Sequence, residues 1–463
     1  MTNNPPKIKD KYDACIIGAG VAGATMAAVL GKAGKSVAIV ERNLSERDVI
    51  VGELLQPGGV KLLEEMGLEV FLHNMDAQPV RGYNIIFQGK DTQIRYPHKN
   101  GEPLGYGFRN GKFVQNMRYF IQSLENVDVF EGRVNSITEQ ENIVNGIEFI
   151  SKESGLEKLI SADLTIVSDG PFSKFRNSLS TSEKKVNGYF VGIILENCPL
   201  PNPGFGHLVM GNHPAFVMYP VNSSEIRILI DFPGEHPPKI DETFKVNLID
   251  VFHPVMPEQM KKAFLSAIKK SDFKMMPNHR LPAMPVFKSG IVLLGDSLNM
   301  RHPLTGGGMT AAFADASRLS KNLIAITDFG NCNLVDNAIK DFYNTRHLGN
   351  QTINILADGL YGVVNHPDLR EAFFEYVNRG GKYAEEPIAI LGGLNLDKKL
   401  LRKHFFAVAN YGTKLKIRNE VGTRKIEGSY SMMKEAVKII TPLLMSEKPE
   451  PATKILLEML SRT

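Results

Sequence analysis

The spacing of apolar and polar residues changes several times along this chain. Tyr12-Asp-Ala-Cys-Ile-Ile is a short apolar run that predicts a buried strand. Residues 21–33 carry helical spacing and stop at Gly34, and Ser36-Val-Ala-Ile-Val-Glu41 predicts a second strand. Strand, glycine turn, helix and strand in this order predict a βαβ unit with a parallel pair. Further helices are expected over 53–67, closed by Gly67, and over 112–124. Residues 83–109 alternate between Gly, Pro and Asp breaks and read as β-hairpins. Residues 126–168 alternate again and end on the buried run Leu164-Thr-Ile-Val-Ser168. Residues 186–232 are strand-rich and 241–270 helical. Ile291-Val-Leu-Leu-Gly295 is a buried strand, followed by a glycine-rich turn and a helix over 308–325. From about residue 335 helical spacing dominates. The pattern predicts an α/β domain interrupted by a β-rich insert and followed by a helical region.

Composition narrows the function classes. The 463 residues include 54 Lys plus Arg and 50 Asp plus Glu, a net charge of +4 that does not announce a nucleic-acid binder. A hydrophobic fraction of 43% excludes disorder. Cys15, Cys198 and Cys332 are few, far apart and odd in number. They fit a reducing compartment, exclude a disulfide scaffold and offer no metal-ligand spacing, so no metal site is expected. The polar start MTNNPPKIKDKYD does not resemble a secretory signal, and no uncharged apolar run reaches the ~18 residues of a membrane span. The chain is therefore expected not to cross a bilayer, although it can lie on one.

Gly18-Ala-Gly20-Val-Ala-Gly23 sits between the first strand and helix, the context a dinucleotide fingerprint requires. Gly18 permits the tight turn, Gly20 lets backbone N–H groups approach a pyrophosphate, and Gly23 allows close helix–strand packing. Glu41 ends the second strand, where a carboxylate accepts from a ribose diol; the alternative is a tight turn with an ordinary surface Glu. The fingerprint alone does not separate FAD from NAD. Asp169-Gly170-Pro-Phe-Ser173-Lys-Phe-Arg176 and Gly295-Asp296 each follow a buried strand. An Asp at a strand end bonds ribityl hydroxyls, which NAD lacks; each Asp alone could instead cap a helix or turn. In Asn299-Met-Arg-His-Pro-Leu-Thr-Gly-Gly-Gly-Met-Thr310, Pro303, Gly306, Gly307 and Gly308 leave a backbone surface on which a flat ring can lie. The helix N-terminus behind it favours negative charge on a reduced flavin by about 0.3–2 kcal/mol.

Four strings carry a specific resemblance: Val51-Gly-Glu-Leu-Leu-Gln-Pro-Gly-Gly59, Ser168–Arg176, Leu281-Pro-Ala283 and Leu294–Thr310. Over roughly residues 10–445 the chain resembles the squalene monooxygenase (squalene epoxidase) family, within the FAD-dependent, aromatic-hydroxylase-like flavoprotein monooxygenases. The resemblance implies a Rossmann-like FAD-binding domain formed by 10–82, 110–180 and 285–330. It implies a β-rich substrate domain formed by 83–109 and 181–284, and a C-terminal helical, membrane-associating region over 331–463. It implies epoxidation of squalene to (S)-2,3-epoxysqualene with O₂, through a C4a-hydroperoxide of the flavin, in sterol biosynthesis. NADPH would supply electrons through a cytochrome P450 reductase-type donor. Carried over by position, Val21, Ala22, Glu41, Arg42, Arg118, Val134, Asp296 and Met309 touch FAD, and Tyr83 stands beside the flavin with Gln56 as its partner. Val49 occupies a position where the family usually has Arg, with Arg47 two residues away as a replacement.

A C30 hydrocarbon has no polar group to recognise, so its pocket must be apolar. Phe190, Ile193, Leu195, Phe216, Met218, Tyr219 and Pro220 are the candidates, with Val191 and Leu208; Leu304 and His302 border the glycine loop. Each could equally be plain core. Residues 397–425 hold nine Lys/Arg against two acids. Met432, Met433, Ala436, Val437, Ile440, Leu443 and Leu444 share one helical face, and Ile455, Leu456, Met459 and Leu460 repeat it. Such helices lie in a bilayer interface or pack on the catalytic domain. The expected location is peripheral, on the cytosolic face of the endoplasmic reticulum, with no nucleic-acid partner. The competing readings are an aromatic-ring hydroxylase reduced directly by NADPH and a flavin-free prenyl-protein escort.

Overall fold

The computed structural model describes residues 6–97, 103–419, 434 and 437–441. Tyr12–Ile17 pairs in parallel with Val37–Glu41 on one side and, with Ile17 opposite Val167, with the end of Glu157–Val167 on the other. Val37–Glu41 pairs in parallel with Val127–Glu131, and Thr165–Val167 with Ile291–Leu293. The resulting five-segment parallel core is buried on both faces, which is why its strands read as unbroken apolar runs. Every carboxyl end points the same way. The loops at Gly18, Arg42, Gly132, Asp169 and Asp296 therefore converge on one edge, the place where open α/β sheets bind ligands. Gly132–Gln140, Ile143–Ser151 and Glu157–Ser161 continue the same chain segments as an antiparallel meander.

A second sheet of seven strands runs in the order Lys274–Arg280, Lys185–Glu196, Glu225–Pro233, Phe216–Pro220, Gly206–Met210, Gly82–Phe87, Lys90–Arg95. Helices Glu242–Phe252 and Glu258–Lys270 cover one face and pack on Val191, Ile193, Leu195, Phe216 and Met218. The opposite face carries Phe190, Tyr83, Val217, Tyr219 and Leu229. That face shares its core with the C-terminal helices, through Val364, Phe374, Tyr376, Ile388 and Val408. These helices are Cys332–Thr345, His347–Asn365, Pro367–Val377, Lys382–Leu391 and Lys398–Asn419. Among the described residues, no helix is long and apolar enough to cross a membrane. The apolar face expected over 432–444 falls mostly outside the described residues, and its repeat at 455–460 falls wholly outside them.

Two local expectations need correcting. The helix expected over 53–67 starts only at Pro57 and is preceded by a two-residue strand, Leu54–Leu55. Pro57 disfavours helical backbone in the residue before it, and Gln56 is extended at φ −71°, ψ 152°. Among the described residues, the stretch 83–109 holds one hairpin, Gly82–Phe87 with Lys90–Arg95. Its last strand, Gly105–Gly107, pairs instead with Leu54–Leu55 and Gln78–Val80, partners that no local pattern announces.

Candidate active site

A cavity of about 1010 Å³ runs from the strand ends of the parallel sheet to the inner face of the second sheet. That is the upper end of the roughly 300–1,000 Å³ usual for small-molecule sites. At the sheet end it is lined by Gly18, Gly20, Val21, Ala22, Glu41, Arg42, Arg118, Val134, Asp169 and Asp296, and then by Gly306, Gly308 and Met309. Tyr83, linked through Gln56 to the glycine loop, stands where this surface gives way to the far end, which Tyr219, Leu304, Val217, Leu229 and Met276 line; Met218 borders it too, although it belongs to the core on the helix side of the sheet.

The near end is built to take a dinucleotide. Gly18 has φ +95°, and a Cβ there would stand 2.6 Å from the Ser168 carbonyl oxygen, so only glycine fits. A Cβ on Gly20 or Gly308 meets nothing within 4 Å, which leaves bare backbone facing the cavity. Helix Val21–Lys32 starts at Gly20 with no side-chain cap, so its first N–H groups are available to an anion. Helix Gly308–Ile324 begins in the same way after Gly307. The buried Oδ1 of Asp169 has no hydrogen-bond partner in the protein. These features fit FAD: bare N–H groups for the pyrophosphate, acceptors for hydroxyls and a glycine surface for the ring.

Charge is held in place around this cradle. Glu41 Oε2 accepts from the Ala19 N–H at 2.9 Å, and Glu41 also pairs with Arg47 and, at 3.6 Å, with Arg118. Arg47 and Val49 both line the cavity, and the Arg47 guanidinium there is paired with Glu41. Arg176 donates to the carbonyls of Gly170 (3.0 Å), Pro171 (3.2 Å), Asp296 (3.0 Å) and Ser297 (2.8 Å), tying the two aspartate turns together. Burial raises the pKa of both Asp169 and Asp296, against the pull of Arg176. Asp296 is exposed toward the cavity that it lines.

The far end is apolar with buried polar supports. The Glu53 carboxylate is held by Arg227 at 2.7 and 3.2 Å. Tyr83 lines the cavity, and its hydroxyl accepts from Gln56 Nε2 at 2.7 Å. Burial pushes the Tyr83 pKa up to about 12, against the opposing effect of Gln56 and Tyr96, so the phenol is protonated at neutral pH. The glycine loop is anchored from behind. Asn299 Oδ1 accepts from Arg301 (2.6 Å), Arg346 (3.2 Å) and Asn354 (2.9 Å), and Arg346 forks onto the buried Asp315. His302 stacks on Tyr361 with ring centroids 3.8 Å apart.

A family model for squalene epoxidase matches residues 161–427. Squalene epoxidase 3 of Arabidopsis thaliana is 41% identical over 94% of this chain and 84% of its own length. The squalene monooxygenase of Mus musculus is 36% identical over 93% of this chain and 77% of its own. The chain belongs to the squalene epoxidase family. A squalene epoxidase of Schizosaccharomyces pombe is also 38% identical over 86% of the chain and 90% of its own length. Solved structures share the fold at lower identity. A flavoprotein/dehydrogenase from Cytophaga hutchinsonii superposes with TM-score 0.71 at 18% identity, covering 89% of this chain and 100% of that one. The p-nitrophenol 4-monooxygenase PnpA of Pseudomonas putida does so with TM-score 0.65 at 18% identity, covering 84% and 99%. The architecture is thus the Rossmann-like fold of flavin-dependent monooxygenases.

Some expected site residues stand elsewhere. Gly23 does not line the cavity; a Cβ there would lie 1.9 Å from the Gly18 carbonyl oxygen, so it serves helix–strand contact. Gly307 is turned away too, and a Cβ on it would meet Ile353 at 2.7 Å. Gly306 and Gly308 line the cavity in its place. Of the expected substrate residues, Leu195 and Phe216 face the helix layer on the opposite side of the sheet, as do Ile193 and Val191. Side chains alternate along a strand, so Val217 and Tyr219 turn toward the cavity where Phe216 turns away. Phe190 is on the cavity side but lies behind His302, their centroids 5.7 Å apart, and does not line the cavity. Pro220 lies outside the lining, and its carbonyl instead presses on Gly107. Gln56 is fully buried and stands behind Tyr83 rather than in the wall. Val217, Leu229, Met276, Glu53 and Tyr96 were not foreseen. The turn at Gln88-Gly89 was the available signal for Tyr96, because it fixes the hairpin register that brings residue 94 opposite Tyr83.

Proposed function

We propose that this chain epoxidises squalene to (S)-2,3-epoxysqualene, using FAD, O₂ and two electrons from NADPH delivered by a cytochrome P450 reductase-type donor. The second oxygen atom leaves as water and NADP⁺ is released. The observation that carries the reading is one continuous cavity, glycine-padded at the sheet end and mainly apolar at the other, where Glu53 and His207 are also in its wall, with Tyr83 where the two meet. FAD, when bound, supplies the electrons that activate O₂ and leaves one oxygen electrophilic enough for an alkene to attack. The chain's residues do the rest. Val21, Ala22, Arg118, Asp169, Asp296, Gly306 and Met309 would hold the dinucleotide. Val217, Tyr219, Leu229 and Leu304 exclude water and hold a hydrocarbon by burial, at about 25 cal/mol per Å² of apolar area. Tyr83, neutral and hydrogen-bonded from behind, offers a proton donor at the junction. No nucleophile is needed, because the alkene itself attacks.

Squalene dissolves in membranes, which supports a peripheral location, with the C-terminal helices on the endoplasmic reticulum surface. Lys398, Lys399 and Lys403 on the helix Lys398–Asn419 suit anionic headgroups. The decisive assay combines the FAD-loaded protein, NADPH, a P450 reductase and labelled squalene, with the product identified by mass. Squalene-dependent O₂ uptake and a product one oxygen heavier are expected. Uptake driven by phenols without any reductase would replace this reading with that of an aromatic hydroxylase.

A further inference from the structure

Three side chains from separate segments meet at the cavity wall, Tyr83 in it and Gln56 and Tyr96 behind it. Gln56 precedes helix Pro57–Met66, Tyr83 lies on strand Gly82–Phe87, and Tyr96 follows strand Lys90–Arg95. Tyr96 is 1% exposed, and its hydroxyl donates to Gln56 Oε1 at 2.7 Å. Gln56 Nε2 donates to the Thr305 carbonyl and to the Tyr83 hydroxyl oxygen, both at 2.7 Å. A carbonyl only accepts, so Thr305 fixes which end of the amide is nitrogen. Both N–H hydrogens of Gln56 are then used, and the oxygen end is held by Tyr96. The Tyr83 oxygen receives a hydrogen from Gln56, so its own hydrogen is the one that can turn toward the cavity that it lines.

We propose that Tyr96 is a positioning residue of the epoxidation: it locks the Gln56 carboxamide so that Tyr83 presents its O–H hydrogen to the reacting end of the cavity. The inference rests on the squalene epoxidase reading of Tyr83. Tyr96 is itself immobilised. A Cβ on Gly392 would lie 2.9 Å from its ring and 3.1 Å from Pro57, and the Gly392 carbonyl accepts from the Gly58 N–H at 2.7 Å. Tyr96 also stands edge-on to the Tyr83 ring, with centroids 6.5 Å apart. The C-terminal helices thus form the floor on which the orienting tyrosine rests.

Tyr96→Phe keeps the ring and its packing and deletes one hydrogen bond. In the FAD-loaded enzyme kcat should fall about fivefold, the equivalent of a neutral hydrogen bond of about 1 kcal/mol. KM for squalene and the FAD dissociation constant should stay at wild-type values. In a Tyr83→Phe background the same change should cost nothing further, because Tyr96 acts only through Tyr83. A crystal structure of Tyr96→Phe should show the Gln56 carboxamide tilted about its Nε2–Thr305 hydrogen bond, its Oε1 displaced, with the Tyr83 ring unmoved. A second variant, Gln56→Glu, puts an acceptor behind Tyr83, captures its hydrogen and should lower turnover as far as Tyr83→Phe does. An equal loss in both backgrounds, a raised KM with unchanged kcat, or wild-type turnover in Gln56→Glu would overturn the assignment. If the parent enzyme forms no epoxide at all, the functional reading fails first, and the Gln56 tilt in the crystal still decides the role of Tyr96.

Discussion

Replacing Arg176 should loosen FAD more than any single change in the glycine turns. Arg176 is 5% exposed and gives four hydrogen bonds, all to backbone carbonyls of the two aspartate turns. Hydrogen bonds that involve a charged group contribute about 1.5–3 kcal/mol each, net of the exchange with water. Some of the freed carbonyls can take water from the cavity, so the net loss of stability for Arg176→Leu should be about 3–5 kcal/mol, the scale of a broken buried charge set. The turns carry Asp169 and Asp296 at the ends of two paired strands, and without the cation between them the two carboxylates repel each other and shift from the places where they would accept from hydroxyls. A loss of about 2 kcal/mol in FAD binding, near thirtyfold in Kd, is the expected share. Arg176→Lys keeps the charge but cannot fork to four carbonyls, and should recover less than half of that loss. Quenching of flavin fluorescence on titration measures the Kd, and thermal melts with and without FAD separate binding from stability. An unchanged FAD Kd in Arg176→Leu, with the protein still folded, would refute the clamp.

Two further outcomes test the remaining parts. Leu229→Asp places a charge on the apolar wall of the cavity beside Val217, and should abolish squalene turnover while leaving the purified protein yellow with a near-normal FAD content; retained epoxidation would show that the hydrocarbon lies elsewhere. His207 is fully buried with both ring nitrogens unpartnered, and burial pushes its pKa down to about 4. The unfolded chain, near 6.5, takes up the proton first, so stability should fall as pH drops from about 6.5 toward 4. His207→Phe should flatten that part of the curve in denaturant titrations, and an unchanged slope would mean that the imidazole titrates normally.

What the sequence made legible follows from the range of the signals. The strand–glycine–helix start, Asp169, Asp296 and Gly306 are read from residues adjacent in the chain, and their shared location follows from a rule about strand ends. The choice between Phe216 and Val217 was not legible, because both faces of that strand are covered. Helices Glu242–Phe252 and Glu258–Lys270 bury one face, while the cavity and the C-terminal helices bury the other. Both parities are therefore apolar, and the alternation that would tell inside from outside is erased. The pairing of Gln56 with Tyr83 came from family resemblance, since 27 residues and a sheet boundary separate them. The floor supplied by Gly392 was invisible for the same reason, because contacts across some 300 residues leave no periodic trace.

That glycine floor bears on how the enzyme can be shortened. A Cβ on Gly58 would come within 2.4 Å of the Gly393 carbonyl oxygen, so the two turns fit together with no spare room. Trimming the carboxyl terminus is a common way to shorten an enzyme for purification. Any cut upstream of residue 394 would expose a raw notch beneath Pro57 and Tyr96, and the shortened product would lose catalytic competence. Shorter versions should therefore keep the Gly392-Gly393 turn in place.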